Sequence, residues 1–241
     1  MTTLPPPPAP GPTGRPGPHQ GLDLSEIALA LHESADSEQT VERVAEFARS
    51  AVGCDDAGVL LVQARNRIET AAATSGPVAR AHDLQVELDE GPCLDALENR
   101  DTIYQIEDLT FDDRWPRWGA AVLELGYRSV VSVPLATAAR RYGSLNVYAS
   151  RPHAFDEDDV AVASILARHA SLALASNRDL EGLRKAADAR KVIGIAMGIV
   201  MERYEVDSDR AFEVLRRYSQ DHNVKLRDVA RQVAEIRGLP E

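Results

Sequence analysis

Only two cysteines, Cys54 and Cys93, occur in the 241 residues, which excludes a disulfide-stapled secreted scaffold. No apolar run reaches the roughly 18–20 residues that a membrane span requires. The N-terminus has no cationic region leading into an apolar core, so no signal peptide is expected. His32, His82, His153 and His169 are scattered without metal-ligand spacing. There is no glycine-rich phosphate loop, Gly143 standing alone, and no aspartate has the surroundings of a phosphoacceptor. Positive charge is also scarce: the net charge of −11 argues against binding nucleic acid or anionic membrane through the whole surface. The expectation is a soluble, cytoplasmic chain with no metal, no cofactor and no membrane contact.

The charge that is present is unevenly shared. Residues 183–241 hold 12 Lys and Arg against 10 Asp and Glu, while residues 1–182 hold 15 against 28. An acidic body with a mildly basic tail suits a sensor joined to a nucleic-acid reader. Residues 1–21 include Pro5-Pro6-Pro7-Pro8 and Gly-Pro repeats with little to bury, and are expected to be a disordered tail. Two domains are expected after it, over 22–179 and 180–241.

The first of these reads as α+β. Leu24, Ile27, Ala28 and Leu31 mark an amphipathic helix, and Val41, Val44, Ala45 and Ala48 a second, with Ser37 as its expected cap. Strands are expected over 57–62, 68–74, 102–106, 129–135 and 144–149, with a turn at Arg65-Asn66-Arg67. Short helices should follow Gly91-Pro92 and span 115–125. This mixture implies an antiparallel sheet with flanking helices. From Asp156 the spacing turns helical and stays so. Asp156-Glu157-Asp158-Asp159 suits the positive end of a helix dipole, and Leu180, Leu183, Ala187, Gly194, Met197 and Met201 extend a seam able to pair with another helix.

The remaining residues predict an all-α unit of three helices. Ala211, Val214, Leu215 and Tyr218 form one buried stripe, and Leu226, Val229, Ala230 and Val233 another. Asp207 or Ser208 is the expected cap of the middle helix and Asn223 that of the last. Gly194 and Gly198 cost about 1 kcal/mol each inside a helix relative to alanine, which implies a close neighbour: packing in the chain, a partner helix or an RNA backbone.

At this point the residues resemble two known modules. Asp89-Glu90-Gly91-Pro92-Cys93-Leu94-Asp95-Ala96, Asp112-Asp113-Arg114-Trp115-Pro116, Arg128-Ser129-Val130-Val131-Ser132-Val133-Pro134-Leu135 and Gly143-Ser144-Leu145-Asn146-Val147-Tyr148 resemble a GAF domain. Ala196-Met197-Gly198-Ile199-Val200-Met201-Glu202-Arg203, with Ala211, Phe212, Ser219 and Asn223 through Ala230, is similar to an ANTAR domain. The resemblance implies a bacterial, actinobacterial-type antiterminator. Such a regulator binds stem-loop RNA in nascent transcripts, acts as a homodimer and is governed by an unknown small-molecule or redox signal at the GAF domain.

RNA loops are read by stacking and by hydrogen bonds to splayed bases, with cations on phosphates. Arg190, Lys191, Arg203, Arg216, Arg217, Lys225 and Arg227 are the candidate cations; Tyr218, Ser219 and Asn223 supply polar or stacking contacts. Duplex DNA is the competing ligand, because two short helices after a long one mimic a helix-turn-helix. A thiol enzyme or redox sensor is the other alternative. It rests on Cys93, whose place at a helix start lowers a thiol pKa, although Cys54 is the only other thiol. Tyr104, Trp115, Trp118 and Tyr148 are either a ligand pocket or plain core.

Overall fold

The computed structural model describes residues 24–34, 36–99 and 101–237; the proline-rich segment, residues 1–21, lies outside them. The chain divides into two compact units between Asn177 and Arg178.

The first unit is built on five strands: β1 (Asp56–Val62), β2 (Ile68–Ala73), β3 (Tyr104–Ile106), β4 (Ser129–Ala136) and β5 (Arg141–Ala149). They run in the order β2-β1-β5-β4-β3, each antiparallel to its neighbours. Strand alternation gives the sheet two unlike faces. Ala57, Val59 and Leu61 of β1, Val131, Val133 and Leu135 of β4, and Leu145, Val147 and Ala149 of β5 all point to one side. There they meet α1 (Leu24–His32), α2 (Ser37–Val52) and the start of α6 (Glu157–Tyr204). Along β1, β4 and β5 this face is apolar, and each large side chain buried there contributes roughly 1.5–3 kcal/mol.

The opposite face carries Ser132, Ser144, Asn146 and Tyr148, all fully buried. It is covered by α3 (Gly76–Leu88), α4 (Pro92–Glu98) and α5 (Pro116–Glu124). Tyr104, Trp115, Trp118 and Tyr148 lie here in one apolar cluster with Ile106, Val122 and Val130. Trp115 meets Tyr104 and Trp118 edge-on, so the four aromatics are core.

Three local readings are corrected. The cap of α2 is Asp36, whose carboxylate accepts from the Gln39 amide at 2.9 Å, and Ser37 is the first helical residue. The turn before β2 is a short 3-10 segment, Ala64–Asn66, with Arg65 at φ 62°. The helix α3 was not expected. The acidic start of α6 is a reciprocal cap: Asp156 accepts from the Asp159 amide at 3.0 Å while Asp159 accepts from the Asp156 amide at 3.1 Å.

The second unit holds the C-terminal part of α6 with α7 (Ser208–Asp221) and α8 (Leu226–Ile236). Ala196, Val200, Ala211, Leu215, Val229, Ala230 and Val233 are its buried centre, and Met197, Met201, Val214, Tyr218 and Leu226 are half-buried around them. Among the described residues no helix is long and apolar enough to cross a membrane.

Candidate nucleic-acid interface and sensor core

In α7, Asp207 caps the first turn, its carboxylate accepting from the Arg210 amide at 2.8 Å. Burial of Ala211 and Leu215 orients the helix and leaves Arg210, Arg216 and Arg217 exposed. The helix ends at His222, whose ring stacks on Tyr218 with centroids 4.0 Å apart. The α7–α8 connection is closed by Ser219, whose hydroxyl donates to the Val224 carbonyl at 2.6 Å. Asn223 sits in that turn at φ 52° and does not cap α8; Lys225 precedes the helix without a side-chain cap. Asparagine tolerates the left-handed region better than most residues.

The arrangement gathers Arg216, Arg217 and Tyr218 along an open groove of about 590 Å³, together with Arg210 and His222. Arg190, Lys191, Arg203, Ser219, Asn223, Lys225 and Arg227 line no part of it. All of those cations are exposed, Arg190 and Lys191 on α6 and Arg227 on α8. Arg203 donates to the Arg237 carbonyl at 2.6 Å, and Arg227 lies 3.4 Å from Asp228. His222 and Arg210 were missed by the sequence reading; the i, i+4 spacing of Tyr218 and His222 was the available signal.

On the polar face of the sheet, α3 and α4 insert a hydrogen-bonded chain. Gln85 receives the Cys93 amide on its side-chain oxygen at 2.8 Å and donates to the Cys93 sulfur at 2.8 Å. The thiol in turn lies 2.8 Å from Asn146 Oδ1, to which it donates, and Asn146 Nδ2 donates to His82 Nε2 at 3.2 Å. Because Nε2 accepts, Nδ1 carries the ring hydrogen, and it finds no acceptor among the described residues. The hydroxyls of Ser132 and Tyr148 are near enough to the thiol to temper its pKa, yet both fall outside hydrogen-bond geometry. Each buried unpaired polar group costs about 1–3 kcal/mol, so this centre is held at an expense.

Gly91 makes the Cys93 placement feasible. It has φ 150°, and a Cβ there would stand 2.3 Å from the Gln85 side chain. Beside it, Glu90 takes the role of cap for α5, accepting from the Arg117 amide at 2.7 Å and the Trp118 amide at 3.2 Å.

Burial sets the protonation of the centre. It lowers His82 to about 3, keeping the ring neutral. It raises Cys93 to about 11 and Cys54 to about 12, against the weaker lowering effect of their hydrogen bonds. The direction for Cys93 is opposite to the lowering expected of a thiol at a helix start, with desolvation the largest cause. Both thiols are free and buried.

A GAF domain family model matches residues 34–175, more than half of the chain. The chain belongs to the GAF domain family. An ANTAR domain model matches residues 181–233, so this is a GAF and ANTAR domain-containing protein: a regulator with a sensor domain and an output domain. No curated protein sequence matches it.

Solved structures resemble the GAF part. A domain of a two-component sensor histidine kinase protein from Sinorhizobium meliloti is 22% identical, over 63% of this chain and 99% of that one, with a TM-score of 0.52. The GAF domain of the cyanobacteriochrome TePixJ is 21% identical, over 61% and 94%, with a TM-score of 0.52. Free methionine-R-sulfoxide reductase from Neisseria meningitidis, in complex with its substrate, is 18% identical, over 65% and 89%, with a TM-score of 0.52. At these identities the likeness is one of fold.

Proposed function

We propose that this protein is a signal-responsive transcription antitermination regulator whose ANTAR unit binds stem-loop RNA in nascent transcripts under control of the GAF domain. The observation that carries this reading is the ANTAR match across all three helices of the second unit, whose exposed faces bear Arg190, Lys191, Arg216, Arg217, Lys225 and Arg227. Gathering Arg216 and Arg217 beside an aromatic ring supports a ligand that offers both phosphate and base. Such a regulator works in the cytoplasm, where transcripts are made. A competition shift assay with the full chain tests it. Hairpin RNA should displace labelled hairpin RNA, while duplex DNA of matched length should not; preference for the duplex removes the RNA reading.

The protein acts as a homodimer in this reading. Leu180, Leu183 and Ile195 of α6 are about half exposed or more, and among the described residues nothing beyond the helix's own neighbouring turns lies within 4 Å of a Cβ placed on Gly194 or Gly198. Open space beside the two glycines supports a second helix or RNA as the neighbour. Light scattering should report twice the chain mass; a monomer that still binds RNA excludes the dimer.

The GAF domain is read as a sensor without catalysis. Raised pKa values and complete burial keep Cys93 a thiol rather than a nucleophilic thiolate, which disfavours both the enzyme and the redox sensor. The unpaired groups around His82, Ser132 and Tyr148 are the place where a signal would act.

A further inference from the structure

Tyr218 precedes His222 by one turn of α7, and their rings lie face to face, 15° from parallel. His222 Nδ1 donates to the Tyr218 carbonyl at 3.0 Å, since a carbonyl oxygen only accepts. This bond holds the imidazole in the stacked pose. Tyr218 is half-buried against the three-helix core, so the stack has a rigid base. His222 is exposed; with one ring face on Tyr218, what it presents to solvent is the other face.

The surrounding groove is cationic in a particular way. Arg210 is engaged by Glu213 at 3.1 Å. Arg217 reaches Asp221 only at 3.6 Å, both side chains being largely exposed, which makes a weak and screened pair. Arg216 makes no hydrogen bond or ion pair among the described residues. A flat ring in water flanked by two arginines free to move suits a ligand with a π-face and adjoining phosphates. An acidic peptide or lipid headgroup would use the cations and leave the ring idle. A simple helix cap would need the Nδ1–H bond alone, neither the parallel rings nor the cations beside them.

We propose that an unpaired base of an RNA hairpin loop stacks on the outer face of His222, with Arg216 and Arg217 on the adjoining phosphates. The proposal rests on the RNA reading above and adds the place and chemistry of one contact. Stacking on an aromatic ring is tolerant of base identity, so His222 supplies affinity and register rather than a sequence code.

The test uses the full chain and a pool of hairpin RNAs with randomised loops, selected for binding to it. 2-Aminopurine is then placed at each loop position of an enriched hairpin. One loop position should be quenched on binding. His222→Ala should abolish the quenching and weaken binding about tenfold, whereas His222→Phe, which keeps a ring but lacks the Nδ1–H, should retain both. Thermal melting checks that the variants remain folded. Equal binding by His222→Ala with no quenched position overturns the platform and leaves the RNA reading standing. Equal loss in His222→Ala and His222→Phe without quenching marks a cap role and also overturns it. Failure of any hairpin to enrich removes the RNA reading, and the platform with it.

Discussion

His82 shows how a single side chain couples the sensor core to pH. Its ring is sealed between α3 and the sheet and is neutral because burial lowers its pKa to about 3. In the unfolded chain an ordinary histidine titrates near 6.5. Below that value the unfolded state binds a proton that the folded state refuses, so stability falls as pH drops from about 6.5 toward 3. It is fully present above 6.5. The loss between pH 7 and pH 5 is about 2 kcal/mol. Denaturant melts across that interval should show it, and His82→Gln should flatten the profile; an unchanged slope in the variant would assign the effect elsewhere. Cys93 gives a second expectation at this scale. With its thiol buried and its pKa raised to about 11, neither it nor Cys54 should react with Ellman's reagent at neutral pH until denaturant is added. Prompt release of one equivalent of chromophore from the native protein would contradict the sealed core.

Among the elements, those with clean periodicity could be read from residues alone. The strands expected over 129–135 and 144–149 are β4 and β5, and the helical spacing that begins at Asp156 is α6. The helix α3 escaped because its buried stripe is Val78, Ala81, His82 and Gln85. Two of those four are polar, and an apolar period cannot show through them. They are polar because they serve the Cys93–Asn146 chain, so the feature that hid the helix is the one that makes the sensor core unusual. Asn223 was misread for a related reason: a residue suited to capping is also suited to a left-handed turn, and here the turn took it. The Tyr218–His222 stack joins a helix to its last turn and was invisible to a search for charges. Caps and glycines yield expectations here. Asp207→Ala should cost about 1 kcal/mol by removing the acceptor for the Arg210 amide, measurable by urea melts of the whole chain. Gly198→Ala, with open space around it, should instead stabilise the helix by up to about 1 kcal/mol while the protein is monomeric. A loss at low concentration would mean that this chain itself fills the space.

For the molecule as a whole, the acidic body and the basic tail have different tasks in the proposed function, and salt separates them. Each phosphate contact contributes about 0.7–0.9 to the slope of log affinity against log salt. Replacing Arg216 and Arg217 together with alanine should therefore weaken RNA binding and flatten that slope by about 1.4–1.8. Filter binding over a salt series checks both; an unaltered slope would take the two arginines out of the interface. Arg190, Lys191, Lys225 and Arg227 lie outside the groove, so their replacement one at a time tests whether contact extends beyond α7.

The concealment of both native thiols has a practical use. A cysteine introduced at an exposed position outside the proposed interface, such as Gln232 or Glu235, becomes the sole target for a maleimide dye, with no need to strip the protein of its own sulfur. Fluorophores installed in that way would report the approach of two subunits, or the arrival of a transcript, on an otherwise unaltered chain.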